Sequence, residues 1–508
     1  MTKPSWLIPI LLFLMFLLPL ARLQFARAGF QTIHVPADFS TIQSAIDNVN
    51  PGGTILVASG TYVEHLIIDR NLFLIGDDRD TTIIDGDGAS TVISIEVDDV
   101  AIENFTVTKS GSQNFTTGIS VNQARGIFFD RVRVMNTYTG IDLSSSTSND
   151  VVDSIIFNNT NGLVCLYSNS NLFSNNTFSA NGQAIGLYYS GTNTFVGNTL
   201  SNDGEGLFLT SSSNKNNFYH NNFETGHPVT SGSSNIWSHG NEGNYWADYN
   251  FTGQDSNGDG VGAQPYRIDD SNLDYYPLMG SYAEYDINIG NVTYRIAIIS
   301  NSTIFDLLFE IDGQTGNKIL SFNASGEQST TGFCRITIPT SLMGPPFIVT
   351  TSAGTITASL LSPSNGTSSY LYFSYPNNNL TIYVIYSNEL QLYNQLLDKY
   401  AKLQADFNGL NSTYQTMLTN YTNGYQALLS KYDALLQNLT QLQSDLLSLN
   451  SALEQNLLNQ SQNEQNLRNL TYVFAALTAT LLVTTVYLSS RLHLTKKQKT
   501  YKTRQENT

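Results

Sequence analysis

The chain has 508 residues, a formal charge of -17 and only two cysteines. That length implies several domains rather than one core. The charge argues against nucleic acid or anionic lipid as partner of the bulk of the chain, and Cys165 and Cys334 are too few to build a disulfide scaffold and read as free or buried thiols.

Residues 1–28 have the pattern of a secretory signal peptide: Lys3, an apolar run from Trp6 to Leu20, then Ala26-Arg27-Ala28 before Gly29. The chain from Gly29 onward is expected to be exported. Sequons such as Asn104, Asn158, Asn291 and Asn438 recur along it and suit a glycosylated cell-surface protein.

Residues 31–280 are expected to form one domain, and between 118 and 223 they repeat every 22 residues, with a single inserted residue before Phe218. Ile119, Ile141, Leu163, Ile185 and Leu207 form one apolar column, and Val121, Leu143, Cys165, Leu187 and Leu209 a second. Phe129, Val151, Phe173, Phe195 and Phe218 form a third, and Val134, Ile156, Phe178, Leu200 and Phe223 a fourth. Short alternating runs broken by Asn, Ser and Gly at this period mark stacked coils that cannot bury their apolar face alone, most simply a parallel β-helix. Asn149, Asn171, Asn193 and Asn216 keep one polar register, and Asn176, Asn198 and Asn221 another. Stacked about 4.8 Å apart, such side chains can hydrogen-bond along the corners. Ahead of the repeat, Ser40 or Thr41 can cap a short helix with Ile42, Ala45, Ile46 and Val49 on one face, which would cover the open end of the first coil.

The opening segment, including Gly60 to Glu64 ("GTYVE"), resembles right-handed β-helix proteins of the pectate-lyase-like superfold. The "GLVCLYSNSNLFSNNTFSANG" repeats resemble the NosD-type periplasmic copper-binding and carbohydrate-binding β-helix family. The resemblance implies a fold over about residues 31–280. The Gln and Asp motifs of pectin esterases have no counterpart downstream, so it carries no catalytic residues across.

The repeat closes on an aromatic segment. Trp237, Tyr245, Trp246 and Tyr249 are either a plug on the last coil or a platform on which sugar rings stack. Just beyond, Asp255-x-Asn257-x-Asp259-Gly260 matches the first half of an EF-hand-like Ca²⁺ loop, whose twelfth position is Tyr266 rather than Glu. Asp269 or Asp270 would have to complete a structural Ca²⁺ shell, the alternative being a turn without metal.

Residues 281–388 lose the period and alternate short β-type runs with Asn-Gly and Pro signals, which predicts a small β-sandwich. Its "GFCRITIPTSLM" and "NGTSSYLYFSY" stretches resemble a β-domain near the membrane anchor of archaeal surface proteins. Residues 389–469 turn helical. Tyr393, Leu396, Tyr400, Leu403, Phe407 and Leu410 begin a heptad seam that runs to Leu453, with a stutter near Gly424. One continuous coiled-coil stalk of roughly 120 Å is expected, paired with other copies in a homo-oligomer or folded back on the β-domains. Residues 470–490 suit a transmembrane helix, and the basic tail 491–508 suits the cytoplasmic side.

Catalytic residues do not emerge. Asp130, Asp142, Asp150, Asp153, Asp203 and Glu205 fall in no register that pairs carboxylates across neighbouring coils as glycoside hydrolysis requires. His220, His227 and His239 cluster near the last coils, but soft copper sites favour Met and Cys, of which the solenoid has only Met135, the apolar-column Cys165 and Met279. The sequence therefore predicts a membrane-anchored surface protein that binds extracellular glycans or acts in adhesion, without catalysis. The alternatives are an extracellular polysaccharide lyase or hydrolase, and a copper-processing factor.

Overall fold

The computed structural model describes residues 31–112, 116–226, 228–249, 255, 257–352, 354–362, 364–420, 426–459 and 475–490. The expected signal peptide and basic tail lie outside them. The protein is mainly β and begins with a parallel solenoid of about ten turns.

Three sheets form the solenoid walls. The first has nine strands, from Thr32–Val35 to Asn217–Tyr219; the second has seven, from Leu66–Ile68 to Glu205–Leu209; the third has nine, from Gly60–Val63 to Tyr245–Trp246. The inferred columns are the registers of these sheets. Ile141 pairs with Leu163 and Leu163 with Ile185, while Leu143, Cys165 and Leu187 align beside them. Phe173, Phe195, Phe218 and Trp237 stack face to face through the interior, with centroids 4.5, 4.9 and 4.6 Å apart. Cβ-free Gly140 lets neighbouring coils close up, since a methyl there would lie 2.5 Å from the Gly162 carbonyl oxygen.

Hydrogen-bonded ladders fix the corners. Asn193 Oδ1 accepts from both the backbone N–H and Nδ2 of Asn171, at 2.9 and 3.0 Å, and the same double bond joins Asn193 to Asn216. Asn176, Asn198, Asn221 and Asn244 repeat it at a second corner. A third ladder, Thr137, Asn159, Asn181 and Asp203, was not evident from sequence. These amides are fully buried, so each bond removes a donor and an acceptor that would otherwise be stranded. Between the first and third sheets each coil turns through one residue of positive φ, at Arg131, Asp153, Asn175 and Gly197.

Both ends of the stack are closed. Helix α1, Ile42–Asn48, buries Ile42, Ala45 and Ile46, and Thr41 accepts from the Ser44 N–H as its N-cap. Glu64, the last residue of the "GTYVE" run, accepts from the N–H groups of Ile42 and Gln43, both at 2.9 Å. Its carboxylate thus sits at the positive end of α1. At the far end, the strand pair Tyr266–Arg267 and Leu273–Asp274 brings in two acceptors that finish two ladders. Asn272 Oδ1 takes the N–H of Asn235 and the indole of Trp237. Asp274 Oδ2 takes the N–H of Asn244 and the indole of Trp246.

The chain divides into two compact units, and the division does not follow sequence order: residues 331–342 and 359–373 belong with the solenoid. Residues 281–388 supply two five-stranded sheets with antiparallel pairings. One contains Ser281–Ile289, Val292–Ser300, Thr331–Pro339, Ser368–Pro376 and Ala358–Leu360; the other contains Thr303–Ile311, Lys318–Ser325, Leu380–Tyr386, Phe347–Thr351 and Gly354–Ile356.

The expected single stalk helix is instead two helices, α2 (Asn388–Asn420) and α3 (Gln426–Asn459). Tyr393 Oη donates to Asn450 Oδ1 at 2.9 Å, and Phe407 stacks on Tyr432 at 5.7 Å. Early residues of α2 meet late residues of α3, so the two run antiparallel as a hairpin. A heptad seam specifies that a helix must face another, not which chain supplies it. Residues 475–490 are helical, within the expected 470–490 span; among the described residues no helix is long and apolar enough to cross a membrane.

Candidate functional site

The aromatic segment closing the solenoid is a plug. Trp237 and Trp246 are buried, and their ring faces are taken by Phe218, Phe223 and Tyr266. Neither offers a face to a sugar. Tyr245 and Tyr249 are half-buried beside them, with Tyr249 Oη donating to the Gln264 carbonyl at 2.6 Å.

A different aromatic surface lies on the outside of the second sheet. There the outward residues of strands Asn161–Leu166, Gln183–Tyr188 and Glu205–Leu209 form three parallel files: Asn161, Gln183 and Glu205; Val164, Gly186 and Phe208; and Leu166 and Tyr188. The Tyr188 ring leans over Gly186, where an added methyl would lie 2.8 Å from its Cε2. Tyr188 Oη donates to Gln183 Oε1 at 3.3 Å, Gln183 Nε2 donates to Glu205 Oε2 at 2.6 Å, and the Tyr188 and Phe208 rings meet at 5.6 Å.

At the edge of this surface Tyr167 and Tyr189 stack at 5.0 Å, 56% and 50% exposed. Both have positive φ, and the equivalent positions on two earlier coils hold Gln123 and Ser145 in the same conformation. The turn therefore accepts small polar residues. Two successive tyrosines there, in a backbone conformation bulky side chains avoid, contribute nothing to the core. Leu166 and Val229 extend the apolar strip, Val229 through a bridge to Phe208.

Of the acidic residues, Asp142 and Glu205 share this outer face. Asp142, hydrogen-bonded by Ser144 at 3.0 Å, has its pKa raised by burial. Three coils and a different file separate it from Glu205, at least about 14 Å at the spacing of parallel strands, more than the two carboxylates of a glycosidase span. The others lie elsewhere. Asp150 faces out from the first sheet, pushed up to about 6 by burial; Asp130 is paired with Arg131; Asp153 is at a corner; Asp203 ends a ladder.

The histidines have structural partners. His220 stacks on Tyr282 at 4.2 Å and its Nε2 lies 2.7 Å from Glu242, which also pairs with the buried Arg335. Although burial opposes it, hydrogen bonding from His220 and the Arg335 charge hold Glu242 down at about 2. His239 lies against the Tyr219 ring; His227 is outside the described residues. Cys165 and Cys334 are buried, their thiol pKa values raised by desolvation. Copper would need these groups together, and among the described residues no three His, Cys, Asp or Glu side chains are grouped to hold a metal.

In the Asp255 loop, Asp255 accepts from the N–H groups of Asp259 and Gly260 at 2.8 and 3.0 Å, Asn257 Nδ2 donates to Asp259 at 2.7 Å, and Asp259 accepts from Val261. Asp269 is held by Thr230 and Asn272, and Asp270 by Arg267.

Most of the coils and the outer strip fall within one stretch that matches a family model. Residues 46–251 match the family model of the periplasmic copper-binding protein (NosD). The chain is also similar, at low identity, to solved structures. A pectin methylesterase from Yersinia enterocolitica is 14% identical, with 42% of this chain and 81% of that one covered and a TM-score of 0.27. One from Aspergillus niger is 15% identical (43% and 86% covered, TM-score 0.30), and an alginate lyase from Paenibacillus 12% identical (38% and 86% covered, TM-score 0.28). No curated protein matches the chain.

Proposed function

We propose that this is a membrane-anchored, extracellular polysaccharide-binding protein whose NosD-type solenoid holds a glycan, without catalysis, along the outside of its second sheet. The observation that carries this reading is the exposed Tyr167–Tyr189 stack beside Tyr188 and Phe208, at turn positions filled elsewhere by Gln and Ser. Exposed aromatic faces bind the apolar face of a sugar ring, while Gln183, Glu205 and Asn161 supply hydrogen-bonding groups along the same coils. The nearby Glu205 and the charge of -17 favour a neutral glycan over a polyuronate.

Surface location rests on the signal-like residues 1–28, the apolar 470–490 and the basic 491–508. A structural Ca²⁺ on Asp255, Asn257 and Asp259, steadying the plugged end, belongs to the same proposal. Incubating the intact protein with neutral and acidic polysaccharides, while recording retention and soluble fragments, tests the reading. Retention of a neutral glycan with no new chain ends is expected. Release of shortened products would make the protein a lyase or hydrolase instead, and failure to retain any glycan would overturn the proposal.

A further inference from the structure

The α2–α3 hairpin leaves half of its own heptad pattern unused. In each helix the seam alternates two positions: Tyr393, Tyr400 and Phe407 with Leu396, Leu403 and Leu410 on α2, and Tyr432, Leu439 and Leu446 with Leu435, Leu442 and Leu449 on α3. The first set is partly buried, and Phe407 and Tyr432 meet across the hairpin. Of the second set, Leu396, Leu403, Leu410, Leu435 and Leu442 are between 38% and 66% exposed.

These leucines lie three residues beyond the inward set, which at 3.6 residues per turn places them about 60° around the helix. Because the helices are antiparallel, that rotation carries both stripes to the same side. The result is one leucine face, continuous with the α2–α3 interface.

We propose that this face pairs with the same face of a second copy, giving a four-helix bundle with its two-fold axis along the helices. The leucine face is self-complementary, as a two-fold interface requires. Charge fits as well. Lys399 and Asp445 are exposed and immediately precede Tyr400 and Leu446, on the side next to the leucines. The Tyr393–Asn450 contact puts them within about one turn of the same level. In the bundle α2 of one copy packs antiparallel to α3 of the other, so Lys399 meets the opposite Asp445, the charge pairing that sets partner choice in helical assemblies.

Sedimentation equilibrium of the full chain in detergent tests this directly. Two chains per particle are expected, and Leu403→Asp with Leu410→Asp should give one, with helicity and the solenoid's melting unchanged. Lys399→Glu should weaken the dimer a few-fold, and adding Asp445→Lys should restore it. A wild-type monomer at high micromolar concentration, or a dimer unaffected by the leucine and charge variants, would overturn the proposal.

Discussion

The solenoid and the helical hairpin both repeat an apolar pattern, yet one completes itself and the other does not. In the solenoid each coil pairs with the next in sequence, 22 residues away through the middle of the stack, and the ends are closed by α1 and by the Asn272–Asp274 pair. In the hairpin, the antiparallel run of α2 and α3 stacks Phe407 on Tyr432 and leaves the leucine stripe outside. A period whose neighbours are adjacent in sequence specifies a self-sufficient stack; a heptad specifies a face and leaves the number of chains open.

That contrast predicts the largest effect in the middle of the solenoid. Leu163→Asp places a charge between Ile141 and Ile185 with no partner, and should cost more than about 4 kcal/mol and unfold the stack cooperatively by calorimetry. Next comes a rung of a ladder. Asn193→Ala leaves both Asn171 donors without their acceptor and should lower stability by about 2–4 kcal/mol in urea titration. An exposed leucine such as Leu403, changed alone to Ala, should by contrast shift the melting curve little, since it is not buried within its own chain.

The sequence made the solenoid legible because a stacked fold writes each contact at a fixed spacing, so Phe173 and Phe195 announce each other. The ladder through Thr137, Asn159, Asn181 and Asp203 escaped notice because its rungs change residue type while keeping the same geometry. Trp237 and Trp246 look alike in sequence whether they plug a coil or face solvent; burial decides, and here they plug. The outer strip went unseen for the opposite reason, that Tyr167 and Tyr189 occupy a turn position which the repeat itself treats as polar. The hairpin could not be told from a straight stalk because both satisfy the same seam.

A smaller effect separates the two regions by pH. Burial lifts Asp274 and Asp150 to about 6, and raises Asp203 as well, above the ordinary carboxylate value of 3.8. Asp274 and Asp150 therefore bind their protons more tightly when folded, so their contribution is full below about 3.8 and is lost as pH rises through about 6, and the raised Asp203 acts in the same direction. Glu242, held at about 2 against an ordinary 4.5, has the opposite sign, and its contribution fades only below about 4.5. The solenoid should accordingly melt higher at pH 5 than at pH 7. Asp274→Asn should shrink that difference, because an amide oxygen can still accept from Asn244 and Trp246 without the charge.

A modest shift is expected from the Asp255 loop. If Ca²⁺ steadies the plug, excess EDTA should lower the solenoid's melting temperature by a few degrees, and Asp255→Ala with Asp259→Ala should abolish that sensitivity. An identical melt with and without chelator would identify the loop as a turn that satisfies itself.

Whether the outer strip is the glycan site is decided most directly by calorimetric titration of the intact protein and its Tyr167→Ala/Tyr189→Ala variant with a retained neutral polysaccharide. The variant is expected to melt with the wild type, because both rings lie outside the core, and to bind at least roughly tenfold more weakly, the equivalent of about 1.4 kcal/mol. Equal affinity in the two proteins would contradict the account and move the binding surface elsewhere.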